Sequence, residues 1–171
     1  MRSSFSLLCF FLAPVLLSAQ TTHILSSPNS ALRLTIETKP NLTWQLHLRN
    51  QQLTAPAPLS MTFAGLGTLG ANPEVINTER ASVDVVRRPE VQQKSARVWD
   101  NCNELKLYFK GDWGVIFRAY NEGVAYRFFT NFKGKVTVMD ETYAFRPAIC
   151  KTVFFPEEES FYSHNERIAQ H

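Results

Sequence analysis

The final segment of the chain, Ser160 to His171, carries the residue types of a binding site. It reads SFYSHNERIAQH and combines aromatic, histidine, amide and carboxylate side chains. His164, Asn165 and Glu166 stand side by side within it, and such groups bind metal ions or the hydroxyls of a ligand. Without further information, Glu166 is interpreted as an exposed carboxylate near a chain terminus.

No other motif brings catalytic groups together. The sequence lacks Gly-x-Ser-x-Gly, His-Glu-x-x-His and Cys-x-x-Cys, and the glycines at 65, 67 and 70 do not have dinucleotide-binding spacing. The acidic run at 156–160 is interpreted as a solvated surface, because adjacent strand residues face opposite sides and charge runs in loops are usually hydrated. The sequence therefore predicts no catalytic residue in this chain.

Residues 1–19 are predicted to form a secretory signal peptide. Arg2 gives a positive start, Phe5 to Leu17 is almost wholly apolar, and Ala19 is a small residue before a cut at Gln20. The apolar run is too short for a spanning helix with a stop-transfer pattern. We therefore expect a periplasmic or secreted protein with no membrane span after signal cleavage, with an uncleaved anchor as the alternative.

The rest of the chain has the size of one domain and shows no charge bias. The 18 basic and 15 acidic residues are intermixed, which gives neither a basic stripe for nucleic acid nor a polybasic run for a membrane surface. Cys9 lies in the predicted signal peptide and leaves Cys102 and Cys150. These two could form a disulfide in an oxidising compartment or remain buried thiols.

Short alternating segments predict an all-β protein. ALRLTIET at 31–38 and LTWQLHLRN at 42–50 place large apolar residues at every second position. Further segments rich in β-branched and aromatic residues lie at 81–88, 104–110, 113–120, 123–132 and 135–145. Helical periodicity is absent, and the spacing leaves no room for the crossovers of a parallel sheet. The pattern therefore predicts an antiparallel β-sandwich.

The connections between these segments are predicted from their turn residues. Residues 62–73 and 87–101 are glycine-rich or polar and are predicted to be long loops or irregular edges. The tripeptide Asn121-Glu122-Gly123 lies between two aromatic segments and predicts a tight hairpin in which Gly123 has a positive φ.

Several motifs, taken in order, resemble the amino-terminal domain of glycoside hydrolase family 97. ILSSPNSALRLTIET at 24–38 resembles the opening hairpin of that domain, and NELKLYFK, YNEGVAYRF, DETYAFRP and FFPEEESFYSHNER follow. The resemblance implies an antiparallel β-sandwich similar to galactose mutarotase. Members are secreted, mostly bacterial α-glucosidases and α-galactosidases, so an α-linked oligosaccharide is the implied ligand. In the family, the sandwich packs on a catalytic (β/α)8 barrel.

The same resemblance implies a role for the final segment. In the family, the chain after the last sandwich strands enters the active site, where a glutamate helps to bind calcium. Glu166 is the matching residue here, and His164 and Asn165 are implied as substrate-binding neighbours. The other calcium ligands and both catalytic carboxylates belong to the barrel, so the cofactor is implied only together with that domain.

The implied organisation is a signal peptide at 1–19, a sandwich at 20–156 and a segment at 157–171 that leads toward a missing barrel. Such a chain is expected to support a hydrolase without being a competent hydrolase alone. Two alternatives stay open: an inert truncated remnant, and a free-standing carbohydrate-binding sandwich. In the latter, exposed aromatics would stack on sugar rings, and the candidates are Trp44, Trp99, Trp113, Phe161 and Tyr162.

Overall fold

The computed structural model describes residues 21–91, 94–149, 152–157 and 165–170. Within these ranges all regular elements are β-strands, and no helix has the length and apolarity needed to cross a bilayer. The strands are β1 (Thr22–Ser26), β2 (Leu32–Glu37), β3 (Thr43–Leu48), β4 (Gln51–Gln52), β5 (Ala57–Phe63), β6 (Gly67–Leu69), β7 (Val75–Arg87), β8 (Val98–Phe109), β9 (Trp113–Ala119), β10 (Val124–Thr130), β11 (Val138–Tyr143), β12 (Thr152–Glu157) and β13 (Asn165–Gln170).

Two antiparallel sheets form the sandwich. The first has the order β1-β2-β3-β5-β11, with β4 paired to β3 and β6 paired to β5. The second has the order β10-β9-β8-β7, and β12 and β13 form a third, two-stranded sheet. All pairings between these strands are antiparallel. The predicted all-β antiparallel sandwich is confirmed.

The core lies between the two sheets and follows from strand alternation. In β2, Leu32, Leu34 and Ile36 are buried while Arg33 is exposed, as the sequence pattern predicts. Full burial of one such side chain contributes roughly 1.5–3 kcal/mol. The buried core consists of Leu25, Leu34, Ile36, Leu42, Trp44, Ala57, Leu59, Phe63, Leu69, Leu105, Leu107, Phe109, Trp113, Val115, Phe117 and Ala119.

The two predicted loops are shorter than expected. The prediction for 87–101 is wrong at its C-terminal end, because β8 begins at Val98, which lies opposite Arg87 of β7. The prediction for 62–73 is wrong for residues 62–69, because Thr62 and Phe63 of β5 pair with Thr68 and Gly67 of β6 in a hairpin. Glycines allow this tight path: Gly70 has φ 103°, and an added Cβ would lie 2.5 Å from the carbonyl oxygen of Leu59.

The hairpin between β9 and β10 forms as predicted, but its glycine does not behave as predicted. Val124 pairs with Ala119, and the Tyr120 N–H donates to the Gly123 carbonyl at 2.8 Å. The expectation of a positive φ at Gly123 is wrong, since Gly123 does not adopt that conformation. The connection has enough residues to reverse direction without a left-handed residue at this position.

Candidate functional site

Asn165 and Glu166 begin the last strand, β13. This strand pairs with β12, so that Asn165 lies opposite Glu157 and Glu166 lies opposite Pro156. The backbone therefore brings the predicted ligand segment beside the start of the acidic run, two features that are separate in the sequence. His164 lies outside the described residues, as do Glu158, Glu159 and Ser160.

The described residues do not form a calcium site by themselves. Among them, no group of three or more His, Cys, Asp or Glu side chains could hold a metal ion. Calcium prefers about six to eight hard oxygen ligands. The type of donor at Glu166 suits this ion, but the remaining ligands of a site would have to come from outside the described part of the chain.

A polar cluster on β8 and β9 was not found by sequence reasoning. Asp100 is only 7% exposed and accepts hydrogen bonds from Arg87 Nε at 2.7 Å and from the Tyr120 hydroxyl at 3.2 Å. Arg118 Nη1 lies 3.6 Å from the same carboxylate, while Arg118 Nε donates to Glu104 at 2.7 Å. The hydrogen bond from Arg87, supported by Tyr120 and Arg118, lowers the pKa of Asp100 and outweighs its burial.

These contacts assign the cluster a structural role. The carboxylates of Asp100 and Glu104 are both occupied by arginine groups, so neither is available as a metal ligand or as a general acid or base. Strand alternation alone would place Asp100 and Glu104 on the same face of β8, because four residues separate them. The pairing of Glu104 with Arg118 across β9 could not be read without the strand register.

Cys102 lies beneath this cluster as a free, buried thiol. Its Sγ is 3.9 Å from Asp100 Oδ1, and burial raises the pKa of the thiol. A raised pKa keeps the sulfur protonated and weakly nucleophilic, so Cys102 is not a catalytic candidate. Its possible disulfide partner, Cys150, lies outside the described residues.

The three tryptophans have different environments. Trp44 and Trp113 are buried in the core, which explains them as packing residues. Trp99 is 69% exposed, and its indole Nε1 donates a hydrogen bond to Asp84. Phe161 and Tyr162 lie outside the described residues.

A cavity of about 250 Å³ opens between the sheets beside Trp44. Tyr143 of β11 stacks on Trp44 with ring centroids 5.7 Å apart, and Tyr126 stacks on Tyr143 at 5.6 Å. The Tyr126 hydroxyl donates to Glu141 at 2.6 Å, and its pKa is raised by burial and then by Glu141. The lining is mainly apolar and aromatic, and it offers no pair of groups for acid–base chemistry.

Comparison with known proteins identifies the family of this chain. Residues 25–171 match the Glycosyl-hydrolase 97 N-terminal family. The chain belongs to glycoside hydrolase family 97. The resemblance seen in the motifs is thereby confirmed, and this chain corresponds to the N-terminal domain of the family's enzymes.

Relatives of this family 97 chain are much longer proteins. The chain is 37% identical over 140 residues to a retaining alpha-galactosidase from Bacteroides thetaiotaomicron, a match that covers 82% of this chain. The chain spans only 21% of the length of that curated relative. The alignment therefore connects this chain to one part of a larger protein.

Solved structures of family 97 enzymes share its fold. An enzyme from Pseudoalteromonas sp. strain K8 in complex with acarbose superposes with a TM-score of 0.73 and 14% identity, covering 86% of this chain and 24% of that one. An E480Q form of a family 97 enzyme from the same strain, in complex with panose, gives 0.67 and 15%, covering 79% and 22%. A beta-arabinopyranosidase gives 0.70 and 21%, covering 82% and 24%. At these identities, the likeness shows the fold alone.

Proposed function

We propose that this chain is the non-catalytic N-terminal domain of a secreted, calcium-dependent α-glycoside hydrolase. In this proposal, Glu166 supplies one metal ligand to an active site that a (β/α)8 barrel completes. The observation that carries it is the family match over residues 25–171, because it joins the sandwich to the strand that begins with Asn165 and Glu166. The predicted signal peptide at 1–19 supports export to the periplasm or the medium.

An α-linked oligosaccharide is the proposed substrate class of the complete enzyme. A curated relative that is 37% identical is a retaining alpha-galactosidase, and related enzymes of the same fold form complexes with acarbose and panose. In the complete site, Asn165 and His164 would hydrogen-bond to sugar hydroxyls, since amide and imidazole groups donate and accept. Glu166 would provide a charged oxygen to calcium, which polarises and orients a reacting oxygen when it is bound.

The chemical step is assigned to the barrel. Glycoside hydrolysis needs two carboxyl groups, separated by about 5–5.5 Å for retention or about 6.5–9.5 Å for inversion. In the described part of this chain, the carboxylates of Asp100 and Glu104 are paired with Arg87 and Arg118. We therefore expect the chain alone not to hydrolyse nitrophenyl α-glucoside or α-galactoside.

The decisive experiment uses a longer protein that contains both the sandwich and a barrel. Glu166→Gln should lower calcium affinity and glycosidase activity together, because the amide keeps the size but loses the charge that a hard cation favours. Calcium affinity is measured by titration calorimetry, activity with a nitrophenyl glycoside, and sandwich stability by thermal melting. Melting should stay nearly unchanged, and millimolar calcium should partly restore activity.

Glu158→Gln is the matched control, because Glu158 belongs to the nearby acidic run. It should leave both calcium affinity and activity close to those of the unaltered protein. Equal effects of the two substitutions, or an unaltered calcium affinity in Glu166→Gln, would place the ligand elsewhere. The isolated chain provides a second control: calcium should hardly shift its melting temperature, since one ligand gives no tight site.

A further inference from the structure

The β7–β8 hairpin continues past the end of the sandwich as a two-stranded ribbon. The neighbouring strand β9 ends at Ala119, opposite Asn103, whereas β7 and β8 stay paired as far as Arg87 and Val98. The ribbon consists of residues 83–87 and 98–102. Both its strands are fixed by backbone hydrogen bonds, so the ribbon presents side chains from a regular surface rather than from a loop.

The two faces of the ribbon differ in composition. Cross-strand partners share a face, and one face carries the pairs Asp84–Asn101 and Val86–Trp99. Trp99 is 69% exposed and Val86 is 62% exposed on this face. The opposite face carries Asp100 and the adjoining polar cluster, together with the residues Val83, Val85, Arg87, Val98 and Cys102.

The exposed indole is tied to the facing strand by one hydrogen bond. Trp99 Nε1 donates to the Asp84 carboxylate from the facing strand. This contact uses the edge of the ring and leaves most of the side chain accessible. A side chain that is already ordered loses little conformational entropy when a ligand binds, so a fixed aromatic ring favours binding.

We propose that Trp99 is a stacking platform for one pyranose ring of an α-linked oligosaccharide, flanked by Asp84 and Asn101. The choice of a sugar ligand rests on the proposed function. The C–H groups on one face of a pyranose are apolar and carry partial positive charge, which suits the negative face of an indole. The Asp84 carboxylate accepts hydrogen bonds from hydroxyls, and the Asn101 amide both donates and accepts.

A sugar fits this face better than a protein surface does. Protein interfaces usually bury about 800 Å² per partner, and their centres are depleted of charged residues. Here one aromatic ring and one valine stand beside a carboxylate and an amide on a narrow two-stranded surface. An isolated ring flanked by hydrogen-bonding groups matches the alternating apolar and hydroxyl character of a carbohydrate.

The test titrates the intact chain with panose and, separately, with the α-galactoside melibiose. In a proton–nitrogen NMR spectrum, the indole signal of Trp99 should shift in a saturable way, while those of buried Trp44 and Trp113 stay in place. We expect dissociation constants of about 1 mM, as befits a single stacked ring. This readout requires no substitution, so it does not depend on whether a variant folds.

Matched variants then locate the contact. Trp99→Ala should weaken binding at least about tenfold, and Trp99→Phe should keep part of it. Asp84→Ala should weaken it several-fold, because the ring loses its fixed orientation. Val98→Ala, on the opposite face, is the control and should bind like the unaltered chain. Thermal melting confirms that each variant is folded.

Three results would overturn the platform: no saturable shift of the Trp99 signal, equal weakening by Val98→Ala and Trp99→Ala, or self-association that Trp99→Ala abolishes. The last would assign this face to a protein contact. In the two-domain enzyme, the control variant Val98→Ala should leave nitrophenyl glycoside hydrolysis and calcium affinity unchanged. If Glu166→Gln lowers both while no sugar binds to the ribbon, only the platform fails and the proposed function stands.

Discussion

The two ends of the β7–β8 hairpin have the same strand geometry and opposite environments. At the sandwich end, Leu107 and Phe109 are at most 1% exposed and pack against the first sheet. At the ribbon end, Trp99 and Val86 lie in solvent. Large apolar residues at a strand position therefore do not identify a core, because burial depends on whether a second sheet covers that part of the strand.

The border between the two ends is marked by a polar contact between the sheets. Asn103 of β8 donates through Nδ2 to the carbonyl oxygen of Ser26 in β1 at 2.9 Å. Along β8, pairing with β9 begins at Asn103, so the residues of β8 before it lack this neighbour. Coverage of β8 by both the first sheet and the adjoining strand thus ends near one residue, and beyond it Trp99 is exposed while Asp100 and Cys102 on the opposite face stay buried.

Phe109→Ala and Trp99→Ala should differ most in their effect on stability, because one side chain is in the core and the other is in solvent. Phe109→Ala should destabilise the chain by about 3–5 kcal/mol, because it leaves a cavity in the core. Trp99→Ala should change the free energy of unfolding by no more than about 0.5 kcal/mol, since the ring is mostly in solvent. Urea unfolding measures both. A loss of similar size from the two variants would mean that the ribbon end is packed.

A second prediction tests how closely β8, β9 and β10 approach each other. An added Cβ at Gly114 would clash with Phe129 Cζ and with the Leu107 carbonyl oxygen. Because the backbone oxygen cannot rotate away, Gly114→Ala should cost about 1–3 kcal/mol. Gly123→Ala is the control, with open space around it and an expected change within about 1 kcal/mol. Thermal melting should separate the two variants clearly.

The smallest effect is expected at the polar cluster where the ribbon meets the sandwich. Asp100→Asn should lower stability at neutral pH by about 1 kcal/mol, a modest value because the Arg87 side chain is 60% exposed and solvent screens the pair. Asp140→Asn, at an exposed position of β11, is the matched control.

The contribution of Asp100 to stability should depend on pH. The pKa of Asp100 is lowered in the folded chain, so its contribution is complete above the ordinary carboxyl pKa of about 4 and is lost as pH falls through the lowered value. Unfolding in urea at neutral pH and at about pH 3 should therefore show a smaller acid loss for Asp100→Asn than for the unaltered chain. Equal acid losses would show that the carboxylate is not held by Arg87.

Local sequence patterns predict well which segments form strands and which residues share a face. The errors arise where pairing with distant residues determines the structure. Leu32, Leu34 and Ile36 could be placed on one face because alternation is a local property. The sequence predicts a loop at Val98 because its strand partner, Arg87, lies on the other side of a polar connection. The exposure of Trp99 was equally invisible, since it depends on where β9 ends.

The candidate site was predictable only in part for the same reason. Glu166 was recognised from a motif, but its position opposite Pro156 needed the pairing of β12 with β13. The cluster around Asp100 needed the register of β8 against both neighbours. Residue types indicate what chemistry is available, whereas strand register determines which groups meet.

The pairing of β11 with β5 has a consequence for how the chain folds. β11 adds to the first sheet only after the chain has passed through all four strands of the second, so the pairing of Tyr143 with Leu59 closes a chain loop that contains those four strands. Closing such loops costs entropy before any contact repays it, and non-local strand pairing makes folding slow. Until β11 arrives, one edge of β5 offers unpaired N–H and C=O groups to any other extended chain. The hazard for this protein during synthesis is therefore intermolecular strand pairing at β5.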